Sequence, residues 1–347
     1  MDELTLLRSA RNFPVLALDD LAKNRVALDR AIGGAASRTS AKKRMQRRAK
    51  WTFASIGVAA AIAIALVATD TIGFGGAPAG ASAEAAEVLN QAAQATILTA
   101  DPIVGPDQYL RVDTKAVSGV GTTISGNHDI WYLALRTSSL FVPKSDQKSW
   151  VLQRSLPAVF QTFSPESQAF ASKYQAEIVA EHGTSGEYFQ ARNGAFMNSR
   201  PDYTPESLKA LPRDPQQLLN HFYLVNPGAG VSRDGAAFDL IVVVLRTGFV
   251  PADLRAALYK AAALIPGVSV TEKAATLDGR KGISIGRTES KTAERQDIII
   301  DPTNGLVIGE RLVLLNGQPG IPAGTTIGST SVTTSVTDSA PTSTPSK

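Results

Sequence analysis

The stretch "IIIDPTNGLVIGERLVLL", residues 298–315, places two runs of β-branched and aliphatic residues on either side of a short polar segment. That segment, 301–305, contains proline, asparagine and glycine, which favour tight turns. The stretch therefore predicts a β-hairpin. The sequence around it continues the strand pattern, so we expect the C-terminal third to contain strands at 268–274, 281–286, 295–301, 305–315 and 325–337.

The sequence before the C-terminal third of the chain contains several helix patterns. Ser82 is suited to cap a helix at 83–96, and Pro165 and Pro215 are suited to the first turns of two more helices. The sequence "VPADLRAALYKAAALIPG" has the apolar spacing of a helix. The apolar run 236–246 contains β-branched residues typical of a strand, but its helical neighbour favours a buried helix there.

Strand patterns precede and surround these helices. We expect strands at 107–117, 128–137 and 149–155, and mostly helix and connection over 163–225. The segment "GVGTTISG" begins like a nucleotide-binding loop, but Ile124 stands where the third glycine would be, so a flexible hairpin loop is expected. These patterns predict an α+β domain over 82–338, in which helices pack with a curved antiparallel sheet, a half-barrel. The Ser/Thr/Pro-rich segment 339–347 is expected to be a disordered tail.

A basic cluster followed by eighteen uncharged residues, Thr52–Thr69, indicates a membrane anchor. Basic residues precede this run and acidic ones follow it, so we expect the N-terminus in the cytoplasm and the C-terminal domain outside. The expected organisation is a cytoplasmic segment 1–50, a transmembrane helix 51–72 and a linker 73–81. A cleaved signal peptide is the alternative, since small residues follow the run, but the long segment before it favours an uncleaved signal anchor at the cell membrane.

Charge and composition narrow the classes of function. Residues 1–50 hold twelve Lys/Arg against five Asp/Glu, whereas the rest of the chain is slightly acidic. Since the basic charge lies beside the predicted span, membrane lipid is its expected partner, and nucleic acid is not. The chain has no cysteine, which excludes disulfides and thiolate chemistry.

The cytoplasmic segment contains a short amphipathic pattern at 13–34, with Leu18, Leu21, Leu28 and Ile32 on one helical face. A helix of this length is marginally stable alone in water. Two interpretations stay open: a tether whose leucines rest on the membrane or on a second copy, or a segment that docks in a groove of a cytoplasmic protein.

No set of residues in the sequence indicates catalysis. The three histidines, His128, His182 and His221, are widely separated and lack the spacing of metal ligands. No nucleophile elbow or phosphate loop is present, so no catalytic residue, metal or cofactor is expected, and the chain is not expected to be an enzyme.

A binding pocket is the remaining possibility for the exported domain. Six apolar residues alternate toward one face of the C-terminal strands and would line an apolar pocket for a lipid-like or peptide ligand. They are Val268, Val270, Ile283, Ile285, Ile298 and Ile300. The alternative is that they form part of an ordinary core.

Three motifs in a fixed order, "LPRDPQQLL", "ADLRAALYKAAALIPGV" with "DGRKGISIG", and "IDPTNGLVIGERLVL", follow the basic-flanked anchor. With "RSARNFPVLALDDLAKNRVALDRAI" in front, the chain resembles an actinobacterial family of single-pass membrane proteins of uncharacterised function. Their genes often lie beside those of extracytoplasmic-function sigma factors. The exported part is also similar in plan to lipoprotein-carrier and sigma-regulator sensor domains.

This resemblance implies a sensor or regulatory protein that acts by binding, with a sigma factor as a cytoplasmic partner. It supplies no catalytic residues. Two alternatives stay open: an exported enzyme such as a carboxylate-dependent hydrolase, and a module that binds lipid or lipoprotein without a signalling role.

Overall fold

The computed structural model describes residues 80–344, except 100, 125–127, 146, 195–202, 227, 229–230 and 319. Within these residues the helices are α1 (Ala83–Leu98), α2 (Pro165–His182), α3 (Pro205–Ala210), α4 (Pro215–Val225), α5 (Arg233–Leu245) and α6 (Ala252–Ala263). The strands are β1 (Tyr109–Ile124), β2 (His128–Pro143), β3 (Ser149–Arg154), β4 (Ala158–Thr162), β5 (Glu187–Arg192), β6 (Val268–Leu277), β7 (Arg280–Glu289), β8 (Glu294–Ile300), β9 (Val307–Leu314) and β10 (Thr326–Thr337).

All of these strands belong to one antiparallel sheet in the order β5-β3-β2-β1-β10-β9-β8-β7-β6, with β4 paired to β2 beside β3. Two meanders therefore meet at the pairing of β1 with β10. The α+β class and the antiparallel sheet are confirmed. The described strands do not close into a barrel, since β5 and β6 lie at opposite ends of the order.

The hairpin predicted from 298–315 is confirmed as β8 and β9, and two helices contact its turn. The Asp301 carboxylate accepts a hydrogen bond from the Thr303 backbone N–H at 2.9 Å, and Gly305 adopts a positive φ of 67°. A Cβ at Gly305 would overlap the Ala92 carbonyl of α1. The fully buried Tyr259 of α6 donates its hydroxyl to the Gly305 carbonyl at 2.7 Å. The turn is therefore held between α1 and α6.

Helix α5 is the centre of the main core. Nine of its residues are buried, and the N-cap Ser232 accepts from the Gly235 backbone N–H at 3.0 Å. The helix expected at 236–246 is confirmed and begins three residues earlier. Its β-branched residues suit a helix that is enclosed on most sides, where packing outweighs intrinsic propensity. At its end Arg246 donates to the buried Glu310 of β9, which also accepts from Thr330 of β10 at 3.1 Å.

One of the expectations for the N-terminal half is wrong. Residues 119–124 belong to strand β1, not to a flexible loop, because glycines in the strand leave room for an aromatic ring: a Cβ at Gly121 would meet the Trp131 side chain of β2. The region 163–225 is mostly helix and connection, as expected, and it also contains strand β5, which pairs along its whole length with β3. The bidentate ion pair of Arg154 with Glu187, at 2.8 and 3.1 Å, reinforces that pairing.

The anchor expected at 51–72 and the cytoplasmic segment lie outside the described residues. Within the described part of the chain, no helix combines the length and apolar character needed to span a bilayer. The described chain enters the domain where the Ala81 and Ser82 backbone N–H groups donate to Ala263 and Val268, at 3.0 and 2.8 Å.

Candidate functional site: a polar cleft on the open face of the sheet

The two faces of the sheet differ in chemistry. Side chains alternate along a strand, so neighbouring residues of β1 point to opposite faces. Val112 packs with Leu140, Val332 and Phe249 on the face that carries the helices. Asp113 therefore points to the other face, where it lies between Ser139 of β2 and Thr333 of β10 in the strand register. This second face is polar around Asp113, Ser139 and Thr333.

A cleft of about 460 Å³ opens on this polar face. Its floor comes from four adjacent strands, and one of its walls comes from the turn between β6 and β7. The residues that line the cleft all have hydroxyl, amide or charged side chains. They are Asp113, Thr114, Lys115, Thr137, Ser138, Ser139, Gln153, Arg154, Ser155, Asp278, Arg280, Ser331 and Thr333.

The wall exists because the β6–β7 hairpin folds over the sheet. Asp278 and Gly279 both have positive φ, 52° and 77°, as the two central residues of a tight hairpin require. Strand β6 has two register irregularities against β7, which bend it. Leu277 lies over Gly309 of β9, where any Cβ would overlap the leucine side chain. Gly309 thus allows the hairpin tip to reach across β9 toward β10.

Polar contacts hold the hairpin tip in this position. The Arg280 guanidinium donates to the Val332 carbonyl at 2.8 Å and to the Ile308 carbonyl at 3.0 Å. Asp278 accepts from the Ser331 hydroxyl, and the Lys115 ammonium lies 3.6 Å from its carboxylate. The tip is therefore attached to β9, β10 and β1, so that one cleft wall depends on charge-assisted hydrogen bonds.

The two carboxylates of the cleft are both engaged by neighbours. Asp113 accepts from the Arg111 guanidinium at 2.9 Å and from the Ser139 hydroxyl, while Asp278 is held as described above. No histidine is among the residues that line the cleft. The arrangement suits hydrogen bonding to a polar ligand better than proton transfer.

A second pair of carboxylates lies away from the cleft. Glu289 and Glu294 face each other across the β7–β8 hairpin, beside an enclosed space of about 10 Å³ that holds one water at most. Burial alone would raise the pKa of Glu289, but hydrogen bonds from Ser232, Lys291 and Arg287 hold that pKa below its ordinary value. At pH values above the ordinary pKa of a glutamate, ionised Glu289 stabilises the folded state, and this stabilisation is lost as the pH falls through its lowered pKa. Glu289 therefore has a structural role at the start of α5.

The six residues expected to line an apolar pocket lie elsewhere. All of them belong to the main core or pack against it, and Ile285 and Ile298 are fully buried under the helices. Because they face the helical layer, they do not line the cleft, whose floor is the opposite face of the sheet. The alternative interpretation of these residues, an ordinary core, is the one that agrees with their packing.

The other candidate residues are separate in space or outside the described range. Leu18, Leu21, Leu28 and Ile32 lie outside it, as does the side chain of His128. His182 ends α2 beside Glu181, and His221 packs against Phe222. In the described ranges no three His, Asp or Glu side chains come together as metal ligands.

The comparisons with known proteins identify no family. No family model matches the sequence, and no curated protein matches it. Among solved structures, the chain is similar to the complex of MucA and MucB from Pseudomonas aeruginosa, with 11% identity, a TM-score of 0.24 and coverage of 74% of this chain and 58% of that chain. It is also similar to a DUF1329 family protein from Desulfovibrio piger, with 10% identity, a TM-score of 0.18 and coverage of 73% and 90%.

The chain thus spans less than two thirds of the MucA/MucB chain that it matches. TM-scores of 0.24 and 0.18 are too low for either similarity to carry an argument about fold or function.

The contacts of Arg280 lead to a test of how the cleft wall is held. Arg280→Ala removes two charge-assisted hydrogen bonds to backbone carbonyls, and such bonds contribute about 1.5–3 kcal/mol each. We expect the hairpin tip to detach locally, which would raise amide hydrogen exchange at 277–281 by at least tenfold while the core of α5 stays protected. The matched control is Lys281→Ala, at the exposed neighbour. Equal exchange in both variants would show that Arg280 does not hold the wall.

Proposed function

We propose that the protein is a membrane-anchored sensor or regulator whose exported domain binds a polar ligand in the cleft. The observation that carries this proposal is the cleft itself, a site of about 460 Å³ lined by residues with hydroxyl, amide and charged side chains. Its volume lies within the range of small-molecule sites, about 300–1,000 Å³, and its polar groups come from rigid strands.

The contacts of the carboxylates in the cleft favour a binding function over hydrolysis. A hydrolase that depends on carboxylates needs one group that gives a proton and another that accepts one, in reach of the same substrate bond. In the cleft, Asp113 on the floor and Asp278 on the wall accept hydrogen bonds from fixed neighbours. The space beside Glu289 and Glu294 is too small for a substrate.

A polar ligand is favoured over a lipid-like one. Burying hydroxyl or charged groups against hydrocarbon without new hydrogen bonds costs free energy, about 1–3 kcal/mol for each group in proteins. The cleft has such groups on every strand of its floor, among them Thr137, Ser139 and Thr333. A ligand with its own donors and acceptors would satisfy them.

The signalling part of the proposal rests on the sequence. The run Thr52–Thr69 would hold the protein in the membrane, and the apolar stripe at 13–34 would bind a sigma factor or another small regulator in the cytoplasm. Three observations support this. A helix as short as 13–34 is marginally stable alone, it lies just before the predicted anchor, and the chain resembles proteins that are often encoded beside sigma factors. A ligand bound in the cleft of the exported domain would then change how strongly residues 13–34 bind their cytoplasmic partner.

The cleft is tested with a matched pair of tryptophan variants. Thr333 and Ser335 are both exposed on the same face of β10, but of the two only Thr333 lines the cleft. Purified full-length wild type, Thr333→Trp and Ser335→Trp are screened by calorimetry against short peptides, oligosaccharides, peptidoglycan fragments and phospholipid vesicles. We expect a polar probe to bind wild type and Ser335→Trp equally, and to bind Thr333→Trp at least tenfold more weakly, because the indole fills the cleft.

Two results would contradict the binding site. One is a probe that binds all three proteins with the same affinity. The other is selective binding of the vesicles together with no interaction by any polar probe, which would indicate a lipid-binding module.

The cytoplasmic contact is tested with residues 1–50 immobilised as bait for extracytoplasmic-function sigma factors of the same organism. Leu21→Asp with Leu28→Asp should weaken capture at least a hundredfold, because burying each leucine contributes about 1.5–3 kcal/mol and tenfold corresponds to about 1.4 kcal/mol. Asp19→Ala with Asp29→Ala, outside the apolar stripe, is the control. If the wild-type segment captures nothing, or the two leucines can be replaced without effect, the segment is a tether.

A further inference from the structure

The described chain enters the domain at one end of the helical layer. The Ala81 backbone N–H donates to the Ala263 carbonyl, at the end of α6, at 3.0 Å, and a Cβ at Gly80 would lie 2.7 Å from the same oxygen. Near the other end of α1, the Thr96 hydroxyl accepts from Arg255 in the first turn of α6 at 2.6 Å. Helices α1 and α6 are therefore antiparallel, and the chain enters where α6 ends.

Helix α4 ends at the same end of the layer. Arg213, just before α4, donates to Asp253 at the start of α6 at 2.8 Å, and the two helices pack against each other. In the last turn of α4, the Tyr223 hydroxyl donates to Asp234 in the first turn of α5 at 2.7 Å. The two helices thus begin together, and α4 ends beside the start of α5.

Polar contacts join the start of α5 to the segment after α6. The backbone N–H of Ser232, the N-cap of α5, donates to the Glu289 carboxylate at 3.0 Å. The Arg287 guanidinium lies 3.2 Å from the same carboxylate and donates to the Pro266 carbonyl at 3.0 Å. The C-terminal ends of α4 and α6 and residues 80–82 therefore lie together, and we call this part of the domain the entry end.

The entry end exposes large apolar side chains to solvent. Leu224 and Val225, the last two residues of α4, are 81% and 48% exposed. Leu264, directly after α6, is 41% exposed. Contact with an apolar phase would remove this surface from water, which is favourable.

Exposed cations lie beside these apolar side chains. Arg233 is exposed, and its guanidinium lies 3.9 Å from the centre of the Tyr223 ring. Lys291 is also exposed, two residues after the carboxylate that caps α5. Glu84, an acidic residue in the first turn of α1, is paired with Lys273 at 2.7 Å. Exposed apolar groups flanked by cations suit a surface of anionic phospholipid.

The length of chain before Gly80 limits how far the entry end can lie from a membrane. The predicted transmembrane helix ends at residue 72, and Gly80 follows eight residues later. Eight residues reach at most about 26–29 Å at full extension. The far end of α1 is another 24 Å or so away along a helix of 16 residues. The entry end is therefore the end of α1 that the anchor holds near the bilayer.

We propose that the entry end is a membrane-docking surface and that its partner is the phospholipid bilayer that contains the anchor. This inference rests on the proposed function, because it requires the membrane anchor. Leu224, Val225 and Leu264 enter the headgroup region, while Arg233 and Lys291 contact lipid phosphates. Docking fixes the orientation of the exported domain, and so of its cleft, relative to the membrane.

The test compares one fluorescent label at each end of the helical layer in the full-length protein. Because the natural chain has no cysteine, Leu224→Cys and Leu98→Cys each provide a single labelling site, at side chains that are 81% and 86% exposed. Both proteins are reconstituted into nanodiscs of mixed anionic and neutral phospholipid, with and without a spin-labelled lipid that quenches dyes at the bilayer. We expect the spin-labelled lipid to quench the dye at position 224 at least twofold and to leave the dye at position 98 unchanged.

A second pair of variants tests the apolar contact itself. In the Leu224→Cys protein, Val225→Asp places a carboxylate in the docking surface and should remove most of the quenching, because moving a charge out of water is unfavourable. Ile97→Asp is the matched control, at an apolar side chain that is 55% exposed near the far end of α1. It should leave the quenching as it is in the parent.

The outcomes separate this inference from the proposed function. If protein and lipid elute together but positions 224 and 98 are quenched alike, or Val225→Asp and Ile97→Asp behave alike, the anchor stands and the entry end does not dock on the bilayer. A blue shift of the dye at position 224 without quenching by the lipid would indicate a protein partner there and would also contradict docking. If the full-length protein elutes free of lipid, the membrane anchor of the proposed function fails, and docking fails with it.

Discussion

The pairing of β1 with β10 is the interaction on which the rest of the domain depends. It joins Tyr109–Val117 to Ser329–Thr337 in continuous antiparallel register, and these two stretches are more than 200 residues apart in the chain. Through this pairing the two meanders become one sheet, and the helices cover a single face of it. The same register places the hydroxyls of Ser331 and Thr333 beside Lys115 and Asp113, so the floor of the cleft is a direct consequence.

The cleft wall depends on this pairing as well. Arg280 and Asp278 hold the β6–β7 tip through the Val332 carbonyl and the Ser331 hydroxyl, both on β10. On the opposite face, Glu310 accepts from Thr330 of β10 and from Arg246 at the end of α5. Strand β10 therefore connects the helical core, the cleft wall and the cleft floor.

Local patterns in the sequence predicted those features that local forces decide. The turn at 301–305 and the buried helix around Ile241 were both predictable, because turn chemistry and apolar runs act over a few residues. The Asp278–Gly279 pair carries an equally clear hairpin signal. The segment 325–337 was also predicted as a strand, but its sequence did not indicate which residues lie opposite it.

The cleft could not be predicted, because its residues come from strands whose partners are distant in sequence. No local pattern states that β1 pairs with β10, or that Gly309 leaves room for Leu277. The apolar residues Ile285 and Ile298 suggested a pocket because a core face and a pocket lining have the same alternation. The helices that bury them decide between the two.

Disulfide trapping of the β1–β10 register tests the central claim most directly, since the natural chain has no cysteine. Arg111 and Ser335 are directly paired, and paired residues in a sheet lie within the Cα separation that a disulfide needs. Arg111→Cys with Ser335→Cys should lose both free thiols within a monomer under mild oxidation. Lys115→Cys with Ser335→Cys, displaced by four residues or about 13 Å, should keep them. Equal oxidation of the two pairs, or free thiols in the first, would contradict the register and with it the cleft.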